Sequence, residues 1–201
     1  MRGVLVLIIV LFVGGCGVTT PQNLGNQYKF TLSAAKPKAQ AIPAFGSLVL
    51  GFPKADTELD TYRIALLRDD QKRDYFAGAR WADFLPAIAQ STMVESLQNS
   101  GHFSAVTANY SNFSADYKLQ GDIKLFHADY TRSMPPTIAV KVHLNLVDLN
   151  TQQSIKSFSV IKERQAKSDT LSAIYKSFDS AFTAAQKDAL RQVVKALRRS
   201  N

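Results

Sequence analysis

The chain holds one thiol, three imidazoles and no glycine-rich phosphate loop, and these bound the chemistry open to it. Nucleophilic catalysis needs a nucleophile, a base and an orienting group in one pocket. The only thiol, Cys16, lies directly behind an apolar run, Val4 to Val13, and the pair Gly14-Gly15. His102 follows a helix stop, while His127 and His143 fall on expected strands. None shows the paired His or Cys spacing of a metal site, so all three read as structural or surface groups. Asp69, Asp70 and Asp74 share a charged turn but lack the Gly and distal Glu of a calcium loop. Without a phosphate-cradling loop, ATP hydrolysis belongs to another chain. The residues point to no catalytic group, no cofactor and no metal, and so to a protein that is not an enzyme.

Cys16 is the exception, because its surroundings suit a covalent modification. Arg2, the apolar run and the small residues that follow are the parts of a secretory signal. The run is too short for a permanent membrane span. Val13-Gly14-Gly15-Cys16 resembles the lipobox of bacterial lipoproteins. That resemblance implies removal of residues 1-15, diacylation of the Cys16 sulfur and an acylated mature N-terminus. Each buried methylene contributes about 0.8 kcal/mol, so several acyl chains anchor stably where one is reversible. The competing reading is a plain signal or a membrane helix with an incidental cysteine. Residues 16-27 are small, polar and broken by Gly and Pro, which reads as a flexible tether. Among Gram-negative lipoproteins, Asp after the lipidated cysteine commonly retains the protein at the inner membrane. Gly17 stands there, so the resemblance implies the outer membrane, with the body facing the periplasm.

What remains, 16–201, has the length of one ordinary domain. With 46% apolar residues it can bury a substantial core. A single cysteine leaves no intrachain disulfide, so an exported fold must rest on packing. The formal charge is +8, which suits anionic lipid head groups or an acidic protein. Nucleic acid, the other usual partner of a basic chain, is at odds with export. The plainer reading is a solvated basic face.

The body, residues 28-201, opens on Tyr28 to Leu32, which alternates as a strand. Further strands are expected over Gly46 to Phe52, Tyr62 to Leu67, Tyr75 to Trp81 and Phe103 to Thr107. Lys54 to Asp60 reads as a polar loop. Asp83 is the expected cap of a helix with Pro86 in its first turn, an apolar stripe from Leu85 to Leu97, and Gly101 as the left-handed stop. Three longer runs then alternate through Leu119-Ile123-Leu125, Ile138-Val140-Val142-Leu144-Leu146 and Phe158-Val160. Asp148 to Gln153 turns between the last two. One apolar face at a period of two predicts antiparallel sheet covered on one side. The cover is a long helix capped at Ser168 or Asp169, whose stripe includes Ile174, Phe178, Ala181, Ala185, Ala189 and Val193. Its small central residues predict close approach to the sheet. Six Lys or Arg follow Leu171 against two acidic residues. The expected class is α+β, a mainly antiparallel sheet with two helices packed on one face.

Arg80-Trp81-Ala82-Asp83, the helix ending at Leu97, Asp116-Tyr117-Lys118-Leu119, the paired strands and the Ala-rich final helix follow one another in that order behind the lipobox-like boundary. This order resembles the PqiC-like ABC-type transport auxiliary lipoproteins, from about Tyr28 to Leu197. The connection from Ala34 to Phe45 departs from that pattern by its length. The resemblance implies a fold like the TolB N-terminal domain on an outer-membrane lipid anchor. It also implies MCE-domain proteins and an ABC transporter, permease and ATPase, as partners in envelope lipid transport. Arg80 and Trp81 are the candidate partner-binding residues, since both types are enriched in hot spots. The alternative places Trp81 in the core and pairs Arg80 with a local carboxylate such as Asp83. Two other functions stay open: an envelope-assembly or secretion lipoprotein that only docks proteins, and a hydrolase with a dispersed site. Association with further copies of itself is also left open.

Overall fold

A computed structural model describes residues 27–69, 72–108 and 114–200. The signal segment, Cys16, the tether as far as Asn26, and Asp70 lie outside the described residues. The elements are β1 (Tyr28–Phe30), β2 (Leu48–Leu50), β3 (Lys54–Ala55), β4 (Arg63–Leu67), β5 (Arg73–Trp81), α1 (Leu85–Asn99), β6 (Val106–Thr107), β7 (Tyr117–Asp129), β8 (Thr137–Asp148), β9 (Gln153–Gln165) and α2 (Leu171–Ser200).

The three long strands form an antiparallel meander, β7-β8-β9. On β8, Ile138, Val140, Val142, Leu144 and Leu146 are all buried, so the period of two does mark the core face. The alternate residues look the other way. His143 there exchanges ring-nitrogen hydrogen bonds with Ser159 (3.1 Å) and Ser157 (3.0 Å). The Asp148 carboxylate shapes the β8–β9 turn by accepting the amides of Asn150 and Thr151.

The remaining strands make the sheet mixed. The free edge of β7 takes three short strands in succession, all parallel to it: β2 at 117–119, β3 at 122–123 and β4 at 127–129. β6 adds parallel to β2, β5 antiparallel to β4, and β1 parallel to β5. Lys54–Ala55, expected as loop, is one of these strands; two residues carry no readable period. The class is α+β, with the antiparallel order confined to the longer pairings.

Two helix starts differ from expectation. Phe84, not Asp83, occupies the cap of α1, and the Asp83 carboxylate accepts the Phe84 amide at 2.7 Å. At α2 the hydroxyl of Thr170 accepts the Ala173 amide, while Asp169 accepts the Tyr130 hydroxyl at 2.6 Å. The expected stop at Gly101 is present with φ of 63°. A Cβ there would collide with the Gln40 carbonyl, so glycine is required on two counts.

α2 lays its stripe on β8 and β9 and touches α1. Ala181 and Ala185 are fully buried, which lets the helix approach closely. Larger rings fill the space on either side. Phe178 stacks on Phe126 with centroids 5.3 Å apart, and Trp81 meets both edge-on at 5.4 and 5.7 Å. Phe182 meets Phe126 at 5.6 Å. Such pairs add about 0.5–1.5 kcal/mol each beyond their burial.

The long connection after β1 lies across the helices. Tyr175 donates to the Thr31 carbonyl at 2.8 Å, and Ser33 N–H donates to Asp179 at 2.7 Å. Gln186, fully buried, accepts the Ala35 amide at 2.6 Å and donates to the Ser33 carbonyl at 3.1 Å. Gln40 N–H then donates to the Ser100 carbonyl at the end of α1. Its extra length is what crossing both helices demands.

Candidate functional site

Arg80 and Trp81 are neighbours in β5, so their side chains leave opposite faces of the sheet. Trp81 is 1% exposed, inside the aromatic cluster. It is therefore corrected from a surface contact to a core residue: its large apolar ring is better buried among Phe126 and Phe178 than left in water. Arg80 is partly exposed on the other face.

Arg80 does not pair with Asp83, whose carboxylate is turned to the Phe84 amide. No carboxylate among the described residues forms an ion pair with it. Instead β1, β5 and β4 bring Lys29, Arg80 and Arg63 into one register. Like charges directly opposite each other are unfavourable. The aromatic neighbours moderate this: the Arg80 guanidinium lies 5.4 Å from the Tyr62 ring centre, and that of Arg63 lies 3.7 Å over Tyr75. The Arg80 Nε is buried without a hydrogen-bond partner. Tyr62 and Phe84, edge-to-face at 5.8 Å, remain exposed beside the row. Cations flanked by exposed aromatic rings can hold an acidic partner and offer it an apolar contact.

A second surface escaped the sequence reading. A groove of about 1060 Å³ runs between the 36–40 segment, the outer side of α2 and β9, and nine Lys or Arg side chains line it. Lys187, Arg191, Lys195 and Arg198 stand on α2 at helical spacing, and Leu190 and Val194 reach the groove between them. Lys36 and Lys38 face them from the segment, Lys162 and Arg164 from β9. The only signal in the sequence was the excess of cations after Leu171. Asp188 bonds Lys162 at 2.6 Å and Arg191 at 3.2 Å. The Lys162 hydrogen bond holds the Asp188 carboxyl below its usual range, against a smaller opposing effect of burial. No other carboxylate among the described residues forms an ion pair with the groove's cations.

His102 lines the same groove, and burial, helped by the Arg198 charge, lowers its pKa. Its Nδ1 has no hydrogen-bond partner. His127, buried on β7, is lowered in the same way, chiefly by burial. The three histidines therefore lie apart in role: one in the groove, one in the core, one on the open sheet face. Among the described residues no three His, Cys, Asp or Glu side chains gather as metal ligands.

Residues 30–197 match the family of ABC-type transport auxiliary lipoprotein components. The chain belongs to that family. In this auxiliary lipoprotein the match begins in β1 and ends in the last turns of α2, so it spans the sheet and both helices. A Xanthomonas campestris protein of known crystal structure has the same fold, with a TM-score of 0.77 at 21% identity over 88% of this chain and 98% of its own. A second solved structure, of an uncharacterized protein, gives 0.67 at 13% identity over 84% and 99%. An uncharacterized protein of Bradyrhizobium diazoefficiens is 28% identical over 89% of this chain. The chain spans 44% of that relative's length. No helix among the described residues of the auxiliary lipoprotein is long and apolar enough to cross a membrane.

Proposed function

We propose that this auxiliary lipoprotein is an outer-membrane, lipid-anchored component of an ABC/MCE-type envelope lipid transport system, docking protein partners in the periplasm. The observation that carries the reading is the family match over 30–197 behind the Cys16 boundary. The body is then an adaptor held at the membrane, with permease and ATPase supplied by other chains and no chemistry of its own. The uncompensated row Lys29-Arg80-Arg63 supports docking, because an acidic partner would relieve its repulsion.

The anchor is tested at Cys16. Cys16→Ala is expected to abolish labelling by radioactive palmitate, since no other thiol exists. Label retained by the variant would sink the anchor. Docking is tested at Arg80. Arg80→Glu relieves the repulsion within the row, so the melting temperature should stay within about 2 °C of the wild type. Co-purification with the MCE-type partner should fall by about tenfold or more, because reversal leaves an opposed charge at the contact. Retained partner with a native melt would remove Arg80 from the docking surface. A markedly lowered melt would give Arg80 a role in folding instead.

A further inference from the structure

Asp188 answers two cations of the groove, Lys162 and Arg191, and Arg164 donates to the Glu163 carbonyl. Lys36, Lys38, Lys187, Lys195, Arg198 and Arg199 are all exposed and form no ion pair with any described residue. Four of these six stand on the outer side of α2, where cations at short helical intervals repel. The two lysines belong to a segment with an apolar tip. Ile42 is 80% exposed, and the amides of Gln40 and Ala44 on either side of it donate to the Ser100 and His102 carbonyls. His102 lines the groove, so these bonds hold Ile42 at the rim of the basic face.

Unpaired cations with an exposed aliphatic side chain beside them suit a lipid surface, where the cations meet phosphates and the apolar group enters between head groups. A soluble polyanion would meet the cations and leave Ile42 in water. The anchor supplies the surface. Cys16 and Gln27 are 11 residues apart. With an acylated Cys16 in the bilayer, Gln27 stays within about 40 Å of it, at 3.3–3.6 Å per residue. That is about the diameter of a domain of this size, so the chain length lets any face reach the bilayer and charge selects among them. We propose that the basic face formed by α2 and the 36–44 segment lies on an anionic phospholipid surface. The inference rests on the lipid-anchor reading and gives the adaptor an orientation. Trp81 packs beneath α2, so Arg80 leaves the sheet on the side away from that helix. The Arg80 row then stays open to protein partners.

The test uses the acylated protein, reconstituted into vesicles of phosphatidylcholine alone or of equal parts phosphatidylcholine and phosphatidylglycerol. Acetylation of each lysine is read by mass spectrometry. Lys36, Lys38, Lys187 and Lys195 should react about fivefold or more slowly in the vesicles with phosphatidylglycerol. Lys29 and Lys72, exposed elsewhere, should react equally in both. Raising salt from about 0.1 M to about 1 M, which shortens the screening length from ~10 Å to ~3 Å, should erase the difference. Arg198→Gln with Arg199→Gln should weaken the protection of all four lysines. Ile42→Ser should weaken it less, and serves if the double variant disturbs folding. Arg80→Glu should leave the protection intact, which keeps this result separate from the docking test above. The inference fails if the four lysines react alike in both vesicles, or if Lys29 is protected in their place. It also fails if inorganic phosphate in detergent protects them as fully, which would make the groove a site for soluble anions. Flotation with the phosphatidylcholine vesicles reports the anchor by itself. Protein that floats without protection by phosphatidylglycerol overturns the orientation and leaves the anchor standing; protein that fails to float overturns the anchor, and the inference with it.

Discussion

Phe178→Asp is expected to remove most of the stability of the domain. Phe178 is fully buried, stacked on Phe126 and met edge-on by Trp81. Truncating a buried Phe costs about 3–5 kcal/mol. A carboxylate in its place adds several kcal/mol more, because no cation is within the cluster to pair with it. Against a total stability of about 5–15 kcal/mol, the variant should lose its cooperative melt or melt some 15–25 °C lower, at roughly 2–4 °C per kcal/mol. Phe178→Leu keeps the apolar character and should fall by only a few degrees. Differential scanning calorimetry of the purified protein decides it. An Asp variant that melts like the wild type would mean α2 does not lay this face on the sheet.

Gln186→Leu should produce the next largest loss. Its side chain is fully buried and bonds the Ala35 amide and the Ser33 carbonyl together. Leucine fits the volume but strands both backbone groups, at about 1–3 kcal/mol each. A fall of about 5–15 °C in melting temperature is expected. The loss should also be local. The 33–40 segment would loosen, and trypsin should cut after the exposed Lys38, which precedes Ala39, before it cuts elsewhere. Gln186→Glu can still accept from Ala35 but cannot donate to Ser33, so it tests the two bonds separately. A Leu variant as protease-resistant as the wild type would show that the segment is held by its other contacts.

Gln186 also marks the boundary between what was legible in the sequence and what was not. On the helix stripe it is an isolated polar residue, and nothing in its spacing names Ala35 as its partner. The same holds for the Arg80 row. Lys29, Arg63 and Arg80 are far apart in the chain, and only strand order and register bring them together. The groove likewise joins residues 36–40, 162–164 and 187–199. Sequence period reports which way a side chain faces, not which element lies beside it.

Local patterns carried the rest. The alternation from Ile138 to Leu146 and the stripe from Ile174 to Val193 each repeat over many residues, so their buried faces follow from geometry within one element. Gly101 was legible because a left-handed helix stop excludes most side chains. The order of motifs from Arg80-Trp81 to the final helix carried the family, and with it the class of the fold. Strands of two or three residues, such as β3 and β6, are too short to hold a period. Their parallel pairing to β7 and β2 is decided by the tertiary structure alone. So is the fate of Trp81: residue type makes it equally fit for an interface or a core, and it is the closing of α2 over β5 and β7 that places its ring between Phe126 and Phe178.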